Sequence, residues 1–443
     1  MLDKFDKVKD LDFWLQFISS VHPQEVQLGL DRIETVAVKM VLKKPASKVV
    51  VFAGTNGKGS CIASLESILV SAGYKVASYT SPHIHRFAER IKLNGKEVNE
   101  RVLCAAFTYV ESCREGVSLT YFEFSTLAAL WIFYNETLDI ALLEVGLGGR
   151  LDAVNLVDGD ITVIPSIGFD HQDWLGHSLE EIGLEKAGIL RANIPLVYGD
   201  KIPVKSILQR ARELDAPIYL AGQQFDYVIH RKRNSWSWNG LLNGQAAVFN
   251  ELPLPKLLIS NVAISLQILA LLDLKIKEYY VKSAIANLSY AGRQEFRDDI
   301  STDVRLLIDV AHNPAAAAVL AGKLRDLKER EPHLTQISAV IAVMADKDIV
   351  GMAAALETLV DIWYISQVDE ARCMPAKEVV SRLEKSGISG VLLSQDSIVQ
   401  AYIRACSESV EFEEKNPGKV SMVVVLGSFH SVAAVRELSK STG

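Results

Sequence analysis

Two kinds of apolar patterning alternate along the chain. Short runs of consecutive apolar residues fit strands buried on both faces. Longer stretches with apolar positions three or four residues apart fit amphipathic helices. Val49-Val50-Val51-Phe52-Ala53 is a run of the first kind. It enters a glycine-rich turn, after which Ile62, Leu65, Ile68, Leu69 and Ala72 share one helical face and Gly73 supplies the stop. Ile140 to Val145, Ile161 to Pro165 and Ile194 to Tyr198 predict three more strands. Ser178 followed by Glu181 is a capping box that opens a helix carrying Glu185 and Lys186. The alternation predicts a mostly parallel sheet with helices on both faces.

The pattern changes between about 220 and 255. Asn234, Trp236, Trp238, Asn239, Gly240, Asn243 and Gly244 lie in a stretch of alternating character that predicts a small antiparallel hairpin region. Leu252-Pro253-Leu254-Pro255 then leads to a helix starting near Asn261. A second strand–helix series follows Gly292-Arg293. Its strands are predicted at Val304 to Val310, Ser338 to Met344, Asp361 to Ser366 and Ser421 to Leu426. Pro314 stands at a helix start, where its missing N–H costs nothing. The change of series places a boundary near residues 292–300, dividing the chain into 1–295 and 296–443.

Composition narrows the function. The chain has 443 residues, which suits two domains, and 49% hydrophobic residues suffice for two cores. A formal net charge of -7 argues against a basic face for nucleic acid. Cys61, Cys104, Cys113, Cys373 and Cys406 are odd in number and scattered, without zinc-site spacing or a disulfide framework, so reduced thiols are expected. Met1-Leu2-Asp3-Lys4-Phe5-Asp6 is charged and lacks an apolar signal core. No stretch of about 18 apolar residues occurs, so no membrane span is expected. These features predict a cytoplasmic protein. The absence of heptads makes a monomer the expectation.

Gly54-Thr55-Asn56-Gly57-Lys58-Gly59-Ser60 joins a predicted strand to a predicted helix. It departs from G-x-x-x-x-G-K-[ST] in spacing, with Gly59 between Lys58 and Ser60. The physics is still that of a phosphate cradle. Glycines let backbone N–H groups turn inward, and the helix N-terminus favours an anion. Lys58 supplies a point charge for outer phosphates, and the Ser60 hydroxyl suits Mg²⁺. Gly146-Leu147-Gly148-Gly149 hints at a dinucleotide fingerprint, but Leu151 stands where its last glycine belongs, and that alternative fails.

Glu144 closes a predicted strand, where an acid faces the crevice at the carboxyl ends of a parallel sheet. The alternative is a solvated strand end. His171, in Asp170-His171-Gln172-Asp173, is a metal ligand, a base or a packed loop residue. Lys186, in Glu185-Lys186-Ala187-Gly188-Ile189, would ordinarily be a surface lysine.

Together these segments resemble the folylpolyglutamate synthase/dihydrofolate synthase branch of the Mur ligase superfamily over nearly the whole chain. The landmarks are Gly54–Ser60, Ser81-Pro82-His83 with Glu89-Arg90-Ile91, Thr120-Tyr121-Phe122-Glu123 and Glu144 through Asn155. Asp170-His171, Glu185–Ile189, Gly292-Arg293, Asp309-Val310-Ala311-His312-Asn313-Pro314 and Gly427-Ser428-Phe429 complete them. The resemblance implies an α/β fold: an N-terminal P-loop ATPase domain with a mostly parallel sheet, plus a smaller C-terminal Rossmann-like α/β domain. It also implies that Thr55, Asn56, Gly57, Lys58, Gly59 and Ser60 cradle ATP. Ser60, Glu144 and His171 would hold one Mg²⁺ and Ser81 a second. Lys186 matches a lysine that is carbamylated in the family and would then ligate the second metal. Asn261 would contact adenine, Arg293 the phosphates and Asp309 the ribose, with His312 lining the cleft. Thr120, Tyr121, Phe122, Glu123, Leu151, Asp152 and Ala153 would surround the pterin-side ligand. Val154 stands where threonine is usual in the family, and Gln294-Glu295-Phe296 places a charge before the aromatic residue.

The implied activity is ATP-dependent joining of L-glutamate to dihydropteroate and to tetrahydrofolate through an acyl phosphate, with Lys58, His171, Lys186 and Arg293 as the catalytic set. Domain closure about the segment near 292–300 would exclude water from that intermediate. A ligase acting on folates alone is the near alternative. A cell-wall ligase of the same superfamily would need an added N-terminal domain, and too few residues precede Gly54 for one. A nucleotide-operated switch would need N-K-x-D, a spacing that Asp346-Lys347-Asp348 lacks.

Overall fold

The computed structural model describes residues 9–24, 26–242 and 244–438. The Met1–Asp6 segment and Asn243, both read above, lie outside them. The chain divides into two compact units. The first spans Met1–Gly168 and Gln172–Leu288. The second takes Phe169–His171 from mid-chain and continues over Ser289–Gly443.

The first unit is built on eight strands: β1 (Lys48–Phe52), β2 (Val76–Tyr79), β3 (Ile91–Leu93), β4 (Lys96–Glu97), β5 (Ile140–Glu144), β6 (Ile161–Ile164), β7 (Leu196–Tyr198) and β8 (Ile218–Leu220). Their order is β4-β3-β2-β5-β1-β6-β7-β8. From β2 to β8 every pairing is parallel, while β3 and β4 run antiparallel at the edge. β1 carries four consecutive buried residues and β5 five, as expected of strands covered on both faces. The phosphate-loop helix Lys58–Ser71 buries nine of its fourteen residues, and its chain turns out at Gly73 with φ +89°.

A three-stranded antiparallel sheet follows, with β9 (Asp226–His230), β10 (Ser235–Leu242) and β11 (Gln245–Pro253) in the order β11-β10-β9. Trp236 and Trp238 are buried on one of its faces. Gln267 of helix Ile259–Leu271 donates from Nε2 to the Leu241 carbonyl at 2.8 Å and accepts the Leu241 N–H at 3.2 Å. A Cβ at Gly240 would strike both Trp238 and Gln267, which is why glycine stands there.

The second unit holds β12 (Glu295–Asp298), β13 (Arg305–Ile308), β14 (Leu334–Ile341), β15 (Ile362–Ile365), β16 (Val391–Ser394) and β17 (Val420–Leu426), in the order β12-β13-β17-β14-β15-β16. All pairings are parallel except that of β12 with β13. Helix Pro314–Arg330 starts at the predicted proline, and Asn313 caps it by accepting the Ala316 N–H at 2.9 Å. The unit begins at Ser289, and a cut between 295 and 296 would divide β12 after its first residue. Strand β12, Glu295-Phe296-Arg297-Asp298, has no apolar run to mark it. The same holds for the short edge strands β3 and β4.

Phe107 sits at the centre of an aromatic cluster in the first unit, with ring centroids 5.4 Å from Phe87, 5.9 Å from Phe124 and 6.1 Å from Trp14. Replacing it by alanine removes these contacts and leaves a cavity, so Phe107→Ala should cost about 3–5 kcal/mol. Urea unfolding followed by tryptophan fluorescence measures this, and a loss below about 1 kcal/mol would contradict the packing described.

Candidate functional site

The phosphate loop leaves β1 at the carboxyl edge of the sheet. Gly54 (φ +148°) and Gly57 (φ +90°) adopt conformations that other residues rarely take. A Cβ at Gly57 would come within 2.8 Å of Asn261 Oδ1, and one at Gly54 within 2.9 Å of Pro165 Cδ. The loop is held from the β6 side. Thr55 donates from N to the Ser166 carbonyl at 2.8 Å, and its hydroxyl donates to the Gly168 carbonyl at 3.0 Å. Asn56 N donates to Ser166 Oγ at 3.1 Å. Lys58 begins the helix, and its Nζ reaches back to the Gly54 carbonyl at 2.9 Å, holding its charge over the loop.

Strand pairing puts Phe52 opposite Glu144, so the loop and this carboxylate leave the sheet side by side. Glu144 is buried and accepts the Ser81 N–H at 3.1 Å. It is not the solvated strand end that position alone allowed. Burial raises the Cys61 thiol, and the Glu144 charge adds to the effect, which locates that carboxylate near the first turn of the loop helix. Ser60 is buried in the same turn. Hydroxyls of Ser60 and Ser81 and the carboxylate of Glu144 are hard oxygen donors, the chemistry that suits Mg²⁺.

The segments read as pterin-side divide their tasks. Thr120 and Glu123 form a capping box on helix Tyr121–Tyr134, with Glu123 Oε2 accepting the Thr120 N–H at 2.7 Å. Phe122 packs against Gly146, where a Cβ would meet its ring at 2.7 Å, and stacks 5.9 Å from Tyr79. Tyr121 lies 5.5 Å beneath the Arg90 guanidinium. Leu151 accepts the Gly29 N–H at 3.2 Å, and Ala153 is buried. Asp152 accepts from Gly146 N at 3.1 Å, Leu147 N at 2.9 Å and Val154 N at 2.9 Å. Three of about four acceptor sites on the carboxylate are thereby used.

Lys186 ends helix Leu179–Lys186, which opens with the predicted Ser178–Glu181 capping box. It is buried rather than a surface lysine. A Cβ at Gly149 would meet the Glu185 and Lys186 carbonyls at 2.9 Å, and one at Gly188 would meet Arg150 Cβ at 2.3 Å. These glycines let the Gly146–Arg150 loop lie against the backbone that carries Lys186. Asn261, on helix Ile259–Leu271, points its amide at Gly57.

In the second unit, Asp309 accepts from Gln294 N and Ala311 N, both at 2.9 Å. Burial raises its carboxyl, while the nearby Arg293 charge pulls it down. Arg293 lies 5.1 Å over the Phe429 ring. Both ring nitrogens of His312 face acceptors: Nδ1 the Val310 carbonyl at 2.9 Å, Nε2 the Asp170 carboxylate at 3.3 Å. Asp170 also receives Asn313 Nδ2 at 3.0 Å and Lys347 Nζ at 2.7 Å. Burial alone would raise the Asp170 carboxyl, but the His312 hydrogen bond and the neighbouring cationic groups hold it far below the usual range. His171 belongs with this group, and desolvation pushes its imidazole down to about 4. Thus Ser60, Ser81 and Glu144 fall in the first unit and His171 in the second.

Among the described residues, Asp170, His171 and Asp346 bring potential ligand atoms within 4.8 Å of one another. Lys347 Nζ already bridges Asp170 and Asp346 at 2.7 and 3.0 Å, so an ammonium supplies the cation there. Sequence reading missed Lys347, because only the fold brings it to Asp170. It also missed Arg32, whose Nη2 links the Gln27 carbonyl at 2.8 Å to Glu123 Oε1 at 2.9 Å. A cation 91 residues from its partner leaves no local signal.

Burial pushes the Asp152 carboxyl up to about 6, against the opposing pull of three N–H groups and Lys58. The folded state therefore binds the Asp152 proton more tightly than the unfolded chain does. The stability this contributes is full below about pH 4 and is lost as pH rises through 6. Relative to Asp152→Asn, the ligand-free wild type should lose on the order of 3 kcal/mol between pH 4 and 7. Denaturant titrations of both proteins across that range check this, and parallel pH profiles would refute it.

The comparisons with known proteins agree with this arrangement. Residues 292–429 match the Mur ligase family described as the glutamate ligase domain. The dihydrofolate synthase/folylpolyglutamate synthase of Escherichia coli (strain K12) is 38% identical over 96% of this chain and 94% of its own length. The protein of the same name from Haemophilus influenzae is 34% identical over 95% of each. The structure of E. coli FolC in complex with DHPP and ADP is similar with a TM-score of 0.87 at 38% identity, covering 98% of both chains. The bifunctional folylpolyglutamate synthase/dihydrofolate synthase of Yersinia pestis, complexed with AMPPNP and Mn ion, gives a TM-score of 0.85 at 36% identity, covering 97% of both. No helix among the described residues is long and apolar enough to cross a membrane. By sequence, by fold and by the arrangement of its phosphate loop, the chain belongs to the dihydrofolate synthase/folylpolyglutamate synthase family.

Proposed function

We propose that this protein is an ATP-dependent ligase that joins L-glutamate to dihydropteroate, forming dihydrofolate, and to reduced folates, forming folylpolyglutamates. The observation that carries the reading is the register of β1 on β5, which sets the loop Gly54–Ser60 beside the buried Glu144. A carboxylate does not react with an amine at neutral pH, because oxide is too poor a leaving group. An oxygen of the acceptor carboxylate attacks the γ-phosphorus of ATP, and ADP departs. The glutamate nitrogen then attacks the acyl carbon, loses a proton, and phosphate leaves.

The protein's work is positioning and charge stabilisation. The N–H groups of Lys58, Gly59 and Ser60, in the first turn of the loop helix, are the donors available to the phosphates, and Lys58 exchanges its Gly54 carbonyl for the transferring phosphoryl. Asn261 borders the loop on the side proposed for adenine. Within the second unit Arg293, Asp309 and His312 stand near one another, groups suited to phosphate and ribose. Asp152, its direction fixed by three backbone N–H groups, keeps about one acceptor position for an N–H of the pterin. Ser60 and Glu144 would hold one Mg²⁺, and Ser81 with a carbamylated Lys186 a second, offsetting the negative charge that builds on the phosphoryl group. In carbamylation CO₂ would bond to the neutral amine of Lys186 and a proton would leave, turning a cation into a carboxylate able to ligate that metal. The protein acts as a cytoplasmic monomer.

The test supplies ATP and glutamate with either dihydropteroate or tetrahydrofolate and measures phosphate release. Both acceptors should support it. Release with tetrahydrofolate alone would restrict the activity to chain extension, and no glutamate-dependent release would overturn the ligase reading. In the same assay Lys58→Ala should lower kcat by about 10³-fold, and a loss of less than tenfold would remove Lys58 from the phosphate site.

The Lys186 proposal makes its own prediction. Dialysed enzyme should regain activity on addition of bicarbonate, and intact mass under native conditions should show one added CO₂. Neither effect in wild type would refute carbamylation.

A further inference from the structure

Arg90 is a buried charged group that the mechanism above leaves without a task. It ends the short 3₁₀ helix Phe87–Arg90, and its side chain is buried at 9% exposure. Its guanidinium lies 5.7 Å from the Phe87 ring centroid and 5.5 Å from that of Tyr121. Nε donates to His83 Nδ1 at 2.8 Å. Since Arg has no acceptor, Nδ1 must be the accepting nitrogen, and His83 is held with its proton on Nε2. No carboxylate among the described residues pairs with this guanidinium. Buried charges in folded proteins are ordinarily paired or ligand-bound, because desolvating an ion without compensation is costly.

The surroundings say what is missing. The backbone carbonyl of Arg90 accepts the Thr80 N–H at 2.8 Å, and the next residue, Ser81, donates its N–H to Glu144. The Tyr79 hydroxyl feels both the Arg90 cation and the Asp152 carboxylate, so the two groups border one region. Tyr79, Tyr121 and Phe122 supply its aromatic walls. Glu89, the neighbouring acid, is turned away: it accepts the N–H groups of Ile84, His85 and Arg86 at 2.8 to 2.9 Å. A guanidinium seated against two edge-to-face rings, with Nε spent on His83, presents its two Nη groups as a planar fork suited to a carboxylate.

We infer that Arg90 binds a carboxylate of a substrate, its guanidinium seated against Phe87 and Tyr121 and oriented by His83. The inference rests on the reading of Thr120–Glu123 as an acceptor-binding segment. Two substrates carry the required group, the folate-side acceptor and the incoming glutamate, and the geometry specifies their shared chemistry.

Steady-state kinetics of Arg90→Gln separate the two sources. The KM of one substrate should rise at least about tenfold, while the KM for ATP stays within about twofold, as expected when a charge-assisted pair is lost from one binding step. A rise for glutamate assigns the carboxylate to glutamate, and a rise for dihydropteroate or tetrahydrofolate assigns it to the acceptor. Arg90→Lys, which keeps the charge but not the fork, should fall between, and it carries the test if the glutamine variant does not fold. Where the carboxylate is that of glutamate, wild-type enzyme should discriminate against isoglutamine, and Arg90→Gln should lose that discrimination. Unchanged KM values for acceptor and glutamate, or an equal change in all three, would overturn the inference. In that event an active wild type would leave the ligase reading intact.

Discussion

The candidate site of the first unit depends on one strand pairing. β1 and β5 lie parallel in the register that sets Phe52 against Glu144. Each strand ends at the same edge, one in a glycine loop and the other in a carboxylate. Slipping the register by one residue would turn alternate side chains to the opposite face and draw Glu144 away from the loop. The pairing is secure because both strands are buried along nearly their whole length. Apolar packing thus fixes the distance between a cationic phosphate cradle and the acid beside it.

Around that edge the fold collects charges that water would otherwise hold. Asp152 is supported by three backbone N–H groups, Glu89 by three others, and Glu123 by Arg32 and the Thr120 N–H. In the second unit, Asp170 gathers Lys347, His312 and Asn313. Backbone donors are fixed by the chain path and need no reorganisation when a ligand arrives. Arg90 differs from these: its guanidinium lies against two edge-to-face rings, and no acid among the described residues meets its charge.

Glycine marks the places where backbone approaches backbone. At Gly54 and Gly57 both the conformation and the space exclude a side chain. At Gly149 and Gly188 the conformation is ordinary, and the space alone excludes one. The second pair brings the loop after β5 against the helix end bearing Lys186, so a buried lysine and the Asp152 loop share one support.

The sequence by itself determined the strands that are apolar throughout, the capping box at Ser178, the helix start at Pro314, and the phosphate loop. Each is written in a few adjacent residues, and its physics is local: continuous burial, a side chain reaching a nearby N–H, a glycine turning a loop. It also pointed to Glu144, Lys186 and Asp152, through motif resemblance. Edge strands such as β3, β4 and β12 escaped it, because strands of two to four partly polar residues leave no period to read. Only the tertiary structure decided that Glu144 and Lys186 are buried and that Lys347 bridges two acids. It alone joined Arg32 to Glu123 and set Arg90 against two rings with no acid among the described residues to pair it. Those facts depend on contacts between residues far apart in the chain, where burial and charge are set by neighbours that no local pattern names.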